Sequence, residues 1–113
     1  MFAPTLQVMH DGTLVCIHGC YHRHLGGGGL WAIFSIDGGK TWVAPSQHYG
    51  FLVDETYGYS RSCLMPDGTA YLAYIGTGGH QLKDARNNMI WSIKLRVRDD
   101  NSGIELVPVA NDQ

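Results

Sequence analysis

Charged residues and strong helix formers are scarce in this sequence. Aspartate, glutamate, lysine and arginine together make up 16% of its 113 residues, and only three lysines and two glutamates are present. Helix bundles and coiled coils are rich in lysine and glutamate, so the composition excludes both classes. The net charge of -2 leaves no basic surplus to hold a phosphate backbone, so nucleic acid is not expected as a partner.

Long apolar runs are also missing. No segment approaches the roughly 20 apolar residues of a membrane-spanning helix, and the first residues lack the basic and apolar regions of a secretory signal. We therefore expect no signal peptide and no membrane contact, and the sequence indicates no compartment. The three cysteines, Cys16, Cys20 and Cys63, are an odd number, which favours reduced thiols over a disulfide framework.

The sequence predicts no metal and no cofactor. Three histidines and two cysteines cluster early in the chain: His18, His22, His24, Cys16 and Cys20. Their spacing does not match a zinc site, because no second cysteine pair exists and no helical pattern carries the histidines. The glycine run at 26–29 lacks the lysine and the following helix of a phosphate-binding loop.

Glycine, in contrast, is abundant, at 15 residues, and apolar residues alternate with polar ones over several short segments. Both features are typical of short strands joined by tight turns. The fold class predicted is therefore all-β and antiparallel. The predicted strands are 5–9, 14–18, 30–35, 59–65, 70–75, 89–97 and 104–109, with 36–42 as a turn.

One segment of the chain repeats. Asp11-Gly12-Thr13 returns 56 residues later at 67–69, and Trp31 returns 60 residues later as Trp91. Strand repeats of roughly this length are typical of propellers, in which one unit cannot bury its own face. The alternative is two unrelated hairpins that both use common Asp-Gly turns. In the repeat interpretation, the loops that follow the second strand of each copy are expected on one binding face.

The segment 35–42 reads Ser-Ile-Asp-Gly-Gly-Lys-Thr-Trp, which resembles the Asp-box of the sialidase superfamily. The matching signature residues are Ser35, Asp37, Gly39, Thr41 and Trp42. We expect the Asp37 carboxylate to accept hydrogen bonds from its own loop and Trp42 to fold back as an apolar plug. In that family the motif closes a hairpin away from the catalytic centre, so the resemblance implies a structural role.

A second resemblance runs from Gly58 to Tyr74. It is similar to the late sialidase segment that reads G-Y-S, then P-D-G-T, then a strand ending in tyrosine; here Ile75 follows where the family usually has glutamate. The family's tyrosine nucleophile falls on Tyr59. A neutral phenol suits a sugar whose own carboxylate lies beside the reacting carbon, because a carboxylate nucleophile would meet like charge. The alternative for Tyr59 is an aromatic packing residue.

Other candidate residues follow from the same resemblance. Sialidases hold the substrate carboxylate with three arginines, and Arg23 matches the last of them by order, with a solvated loop arginine as the alternative. Arg61 shares the Tyr59 side of its strand and is a candidate anion ligand, with a surface role as the alternative. Asp54 and Glu55, expected on a loop just before Tyr59, are candidate substrate-binding groups and candidates for activating a tyrosine, with ordinarily solvated loop carboxylates as the alternative. The tyrosines 57, 59, 71 and 74 suit either a sugar platform or the core.

The resemblance covers roughly residues 3–100 and implies the last third of a six-bladed propeller, with one blade over 1–56 and another over 57–113. It implies a sialidase-like exo-glycoside hydrolase, whose remaining catalytic groups come from other blades. The alternative is a non-catalytic carbohydrate-binding or structural module. Open blade edges would then favour self-association, for instance three copies closing one ring.

Overall fold

The computed structural model describes residues 2–20, 29–45, 50–54, 60–75 and 90–109. Within these ranges the chain forms eight strands and no helix of the length and apolarity that a membrane crossing requires. The strands are β1 (Phe2–Val8), β2 (Leu14–Cys20), β3 (Gly29–Ser35), β4 (Phe51–Asp54), β5 (Ser60–Leu64), β6 (Ala70–Ile75), β7 (Ile90–Val97) and β8 (Ile104–Val107).

The strands form two four-stranded sheets in chain order. The first sheet has the order β1-β2-β3-β4 and the second has the order β5-β6-β7-β8, and every neighbouring pair is antiparallel. The first sheet ends at Asp54 and the second begins at Ser60. The prediction of an all-β, antiparallel fold is therefore confirmed.

The repeated Asp-Gly-Thr segments form turns of the same geometry. In the first, the Met9 amide donates to the Thr13 carbonyl at 2.8 Å and the Gly12 amide donates to the Met9 carbonyl at 3.0 Å. The turn at 65–69 has the same two bonds at the same lengths. Its glycine adopts a φ of 87°, against 89° in the first turn, which is the left-handed region that glycine enters most easily.

The repeat also continues into the third strand of each sheet. Trp31 lies opposite His18 in the first sheet, and Trp91 lies opposite Tyr74 in the second. Both tryptophans therefore occupy the same register position relative to the preceding Asp-Gly-Thr turn. Two unrelated hairpins with common turns would not be required to place a tryptophan at the same register position. Two copies of one strand unit therefore explain the positions of Trp31 and Trp91 better.

The two sheets pack against each other through unlike faces. The first sheet contributes Val15, Ile17 and Phe34, all with no exposed surface, and the second contributes Leu72 and other buried residues to the same core cluster. In the repeat, Leu72 is equivalent to Cys16. Because side chains alternate along a strand, Cys16 faces away from this core, whereas Leu72 faces into it. One sheet thus meets the next head to tail.

Polar contacts hold β1 beside β5 at one margin of this interface. The Thr5 hydroxyl donates to the Ser60 carbonyl at 2.9 Å, and the Ser62 hydroxyl donates to the Gln7 side-chain oxygen at 2.9 Å. In each contact the partner lies 55 residues further along the chain, so β1 and β5 run in the same direction.

Strand boundaries and one whole strand differ from the prediction. β1 begins at Phe2 and β8 ends at Val107, whereas β4 was not predicted at all, and the loop expected around Asp54 is wrong because Asp54 ends that strand. Four residues are too few to display a period, and β4 is specified by its pairing with β3. The predicted strand starts at 59 and 89 lie outside the described residues.

Candidate functional site

The antiparallel order gives the pair of sheets two distinct ends. At one, which we name the connection end, β2, β4 and β6 finish and β3, β5 and β7 begin; at the other, the turn end, lie the tight turns. Arg23, Glu55 and Tyr59 lie outside the described residues, but the strands on either side of them meet the connection end. Strands of six or seven residues separate the two ends by ~20 Å.

A hydrogen bond joins the two sheets at the connection end. The Tyr74 hydroxyl, on β6, donates to the Asp54 Oδ2 atom at the end of β4. The Tyr74 side chain is buried, and burial followed by the neighbouring Asp54 carboxylate raises its pKa well above the ordinary value for tyrosine. The phenol therefore stays protonated at neutral pH and acts as a structural donor.

This pair clarifies two of the sequence expectations. Asp54, a candidate for substrate binding, is engaged by Tyr74 across the sheet interface. Four tyrosines were candidates for either a sugar platform or the core. Tyr74 belongs to the core, whereas Tyr71 is half-buried and donates to the Ser92 hydroxyl at 3.2 Å. Tyr57 and Tyr59 lie outside the described residues. Sequence reasoning missed the Tyr74–Asp54 pair because the two residues come from different sheets.

Arg61 is exposed on β5, and its Nη1 atom donates to the Ser60 carbonyl at 3.3 Å. Ser60 is buried and faces the first sheet, so alternation directs Arg61 away from it. Asp54, in contrast, faces the second sheet through Tyr74. The structure therefore does not direct these two candidate substrate-binding residues toward a common point, and Arg61 is accessible to an anion from solvent.

The Asp-box is a closed hydrogen-bonded loop. The Ser35 hydroxyl donates to Asp37 Oδ1 at 2.8 Å and accepts from the Gly39 amide at 2.9 Å. Asp37 also accepts from Thr41 twice, at 2.9 Å from its amide and at 2.5 Å from its hydroxyl. Four of the five signature residues, Ser35, Asp37, Gly39 and Thr41, thus bond to one another within the loop.

These bonds set the charge state of the loop. Hydrogen bonds lower the pKa of Asp37 to about 2. The largest effect comes from the Thr41 hydroxyl, followed by the Thr41 amide and the Ser35 hydroxyl. Phe34 and Val43 close the loop through a pair of backbone hydrogen bonds. Trp42 lies close to Gly39 of its own loop, as a folded-back side chain does, but its surface remains 40% exposed. The Asp-box lies at the turn end, away from the strand ends that flank Tyr59.

A cleft of about 280 Å³ also lies at the turn end, between the two Asp-Gly-Thr turns and β7. Its lining residues are Met9, His10, Asp11, Thr13, Asp67, Gly68, Arg96, Val97 and Asp99. Asp11 and Asp67 each accept from the threonine amide of their own turn at 3.0 Å. Within the described ranges, no three histidine, cysteine or acidic side chains are grouped as metal ligands would be.

The fold defines an all-β protein built of two four-stranded antiparallel sheets. Comparison of the chain with protein-family models, with curated proteins and with solved structures finds no match. A function for this chain therefore has to be inferred from its own residues and their geometry.

Proposed function

We propose that this chain forms two blades of a sialidase-like propeller and belongs to an exo-acting glycoside hydrolase that cleaves sialic-acid-type sugars. The observation that carries the proposal is the head-to-tail packing of two repeated sheets, one of them closed by a complete Asp-box. A head-to-tail contact can be continued from one unit to the next around a ring, whereas a face-to-face pair cannot.

In this proposal the reaction takes place at the connection end. The deprotonated Tyr59 oxygen attacks the anomeric carbon as the bond to the leaving oxygen breaks, and water then releases the sugar from Tyr59. Arg23 binds the substrate carboxylate through its planar guanidinium. Glu55, four residues before Tyr59 in the sequence, is the candidate for assisting deprotonation of the phenol. Supporting this placement, the strands that flank all three residues meet the same end of the sheets.

Further groups are required for turnover. A sialidase-type reaction needs an acid for the leaving oxygen and additional cations for the substrate carboxylate, and the resemblance assigns these to other blades. We therefore expect the 113-residue chain by itself to bind a sialoside without hydrolysing it.

A second candidate is a structural or carbohydrate-binding blade module without catalysis. The Tyr74–Asp54 hydrogen bond favours it, because the Asp54 carboxylate at the connection end is used to hold the two sheets together. The exposed position of Arg61 is compatible with binding of an acidic sugar in either case.

The experiment is a titration of the chain with an α-sialoside, followed by ligand-detected NMR, alongside a fluorogenic hydrolysis assay. We expect saturable binding that Arg23→Gln weakens by roughly tenfold, as loss of one bidentate ion pair would cause. Tyr59→Phe should retain binding, and Arg98→Gln, on the exposed turn after β7, is the matched control.

The outcomes separate the candidates. Binding that depends on Arg23, with no binding of a neutral hexoside, supports the sialidase-like proposal, and hydrolysis lost in Tyr59→Phe would support its catalytic form directly. Sugar binding that is indifferent to Arg23 and to the substrate carboxylate favours the non-catalytic module. Absence of any sialoside binding at millimolar concentration contradicts the proposed substrate.

A further inference from the structure

A row of side chains crosses the second sheet at the connection end. Ser60, Tyr74 and Trp91 lie opposite one another on β5, β6 and β7, so their side chains point to the same side of the sheet. That side faces the first sheet. The Ser60 hydroxyl lies 3.3 Å from the Thr5 hydroxyl, and the Tyr74 hydroxyl donates to Asp54. The row therefore follows the junction between the two sheets.

The exposure of the side chains changes along this row. Ser60 is 2% exposed and Tyr74 is 4% exposed, whereas Trp91 remains 38% exposed. Neighbouring strands lie ~4.8 Å apart, so the backbone at Trp91 is ~10 Å from that at Ser60, the residue that follows Tyr59 in the chain. The row thus leads from the start of β5 to an aromatic side chain that is open to solvent.

An exposed aromatic ring beside hydrogen-bonding groups suits a sugar. The carbon-bound hydrogens of a pyranose form an apolar face that packs on an aromatic ring, while its hydroxyls need polar partners at the edge. Tyr74 brings the Asp54 carboxylate to this row, and a carboxylate can accept several hydrogen bonds. The same negative charge repels an acidic sugar, so the ring that suits Trp91 is a neutral one.

We propose that Trp91 is the platform for the neutral sugar to which the sialic acid is linked. This inference rests on the proposed function, in which the acidic sugar occupies the β5 side of the connection end at Tyr59. The next ring of the ligand then extends along the row toward β7. The inference adds the class of substrate that the site selects, namely sialosides of a hexose over sialosides of a small alcohol.

A single packed ring adds a modest gain in affinity. Contacts with an aromatic side chain change a dissociation constant by roughly three- to tenfold. This gain is too small to retain a free neutral hexoside, but it is added when the hexose is covalently linked to a sialic acid that Arg23 holds. We therefore expect an α-sialyl-lactoside to bind the chain roughly three- to tenfold more tightly than methyl α-sialoside does.

NMR titrations of the chain with methyl α-sialoside and with the α-sialyl-lactoside test the inference. In the parent protein, the sialyl-lactoside should shift the indole N–H resonance of Trp91, which Trp91→Phe assigns. The resonance of Trp42, at the turn end, should not move. Methyl α-sialoside should leave both resonances in place, because it has no second ring.

Variants measure the contribution of the platform. Trp91→Ala should abolish the affinity gain of the sialyl-lactoside and leave the affinity for methyl α-sialoside unchanged. Ile90→Ala is the matched control, since Ile90 is 77% exposed and lies on the opposite side of the same strand. It should change neither affinity. A disialoside should show no gain over methyl α-sialoside, because its second ring is acidic.

The outcomes separate this inference from the proposed function. Equal affinity of the parent protein for the two ligands, or a gain that persists in Trp91→Ala, would overturn the inference and leave the proposed function standing. A gain of the same size for the disialoside would overturn the preference for a neutral ring. Binding of neither sialoside contradicts the proposed function and this inference together. If Trp91→Ala loses both ligands, the parent spectrum decides, since an unmoved Trp91 resonance overturns the inference.

Discussion

The Tyr74 hydroxyl donates to the Asp54 carboxylate across the junction of the two sheets. Tyr74 lies on the second strand of its sheet and Asp54 on the fourth strand of the other, so the bond ties an inner strand of one unit to the outer strand of its neighbour. Because Asp54 directly precedes Glu55 in the chain, the same bond fixes where the connection toward Tyr59 leaves the first sheet.

Replacing Tyr74 by phenylalanine should lower the free energy of unfolding by ~1–2 kcal/mol, because it removes a donor to a charged acceptor while retaining the buried ring. Urea denaturation measures the change. Tyr71→Phe, which loses a more exposed bond to Ser92, is the control and should change stability by less than ~0.5 kcal/mol. Equal effects of the two variants would argue against a special role for Tyr74.

The Asp-box should make stability depend on acid. Its hydrogen bonds lower the pKa of Asp37 to about 2, compared with ~3.9 in an unfolded chain. A depressed pKa in the folded state means that the stabilisation is complete above about pH 4 and is lost as the pH falls toward 2. Asp37→Asn should therefore lower the thermal midpoint at pH 7, and its difference from the parent should shrink over that acidic window.

Other carboxylates titrate in the same window, so the informative quantity is the difference between the variant and the parent protein at each pH. Asp99→Asn, at an exposed position in the turn after β7, supplies the comparison. A midpoint difference for Asp37→Asn that stays constant from pH 7 to pH 2 would contradict the charge-based role of the loop.

Gly50 should tolerate no side chain. A Cβ atom there would lie 2.7 Å from the Ala32 carbonyl oxygen, and the residue adopts a φ of 149°. Gly50→Ala should cost about 3 kcal/mol, since backbone of β3 has to move. Gly12→Ala, with a φ of 89° and open space around it, should cost only ~1 kcal/mol. Similar losses in urea denaturation would show that crowding by β3 is unimportant.

Packing between the sheets should account for much of the stability. Leu72 has no exposed surface and lies in the core cluster, so Leu72→Ala should lower the free energy of unfolding by ~2–5 kcal/mol. Ile36, which is 55% exposed in the Asp-box loop, is the control; Ile36→Ala should cost less than ~1 kcal/mol. If the Leu72 variant is no less stable than the Ile36 variant, the sheets do not share one core in solution.

Local features were predictable from the sequence. The Asp-box could be recognised because Ser35, Asp37 and Thr41 bond within one loop. The repeated turns could be recognised because both require a glycine with a positive φ, at positions 12 and 68. The fourth strand could not be recognised, since Phe51–Asp54 pairs with a strand that precedes it by some 20 residues. The exposure of Trp42 likewise depends on which surfaces surround it.

The sequence by itself determined the all-β class, the repeat and the chemistry of the Asp-box, because period, turn residues and short-range hydrogen bonds act within a few residues. Only the tertiary structure decided that Tyr74 bonds to Asp54 and that Arg61 and Asp54 point to different sides. These relationships depend on how two sheets are placed against each other. That placement is set by the burial of Leu72, Ile17 and Phe34 in a common core, which no local pattern specifies.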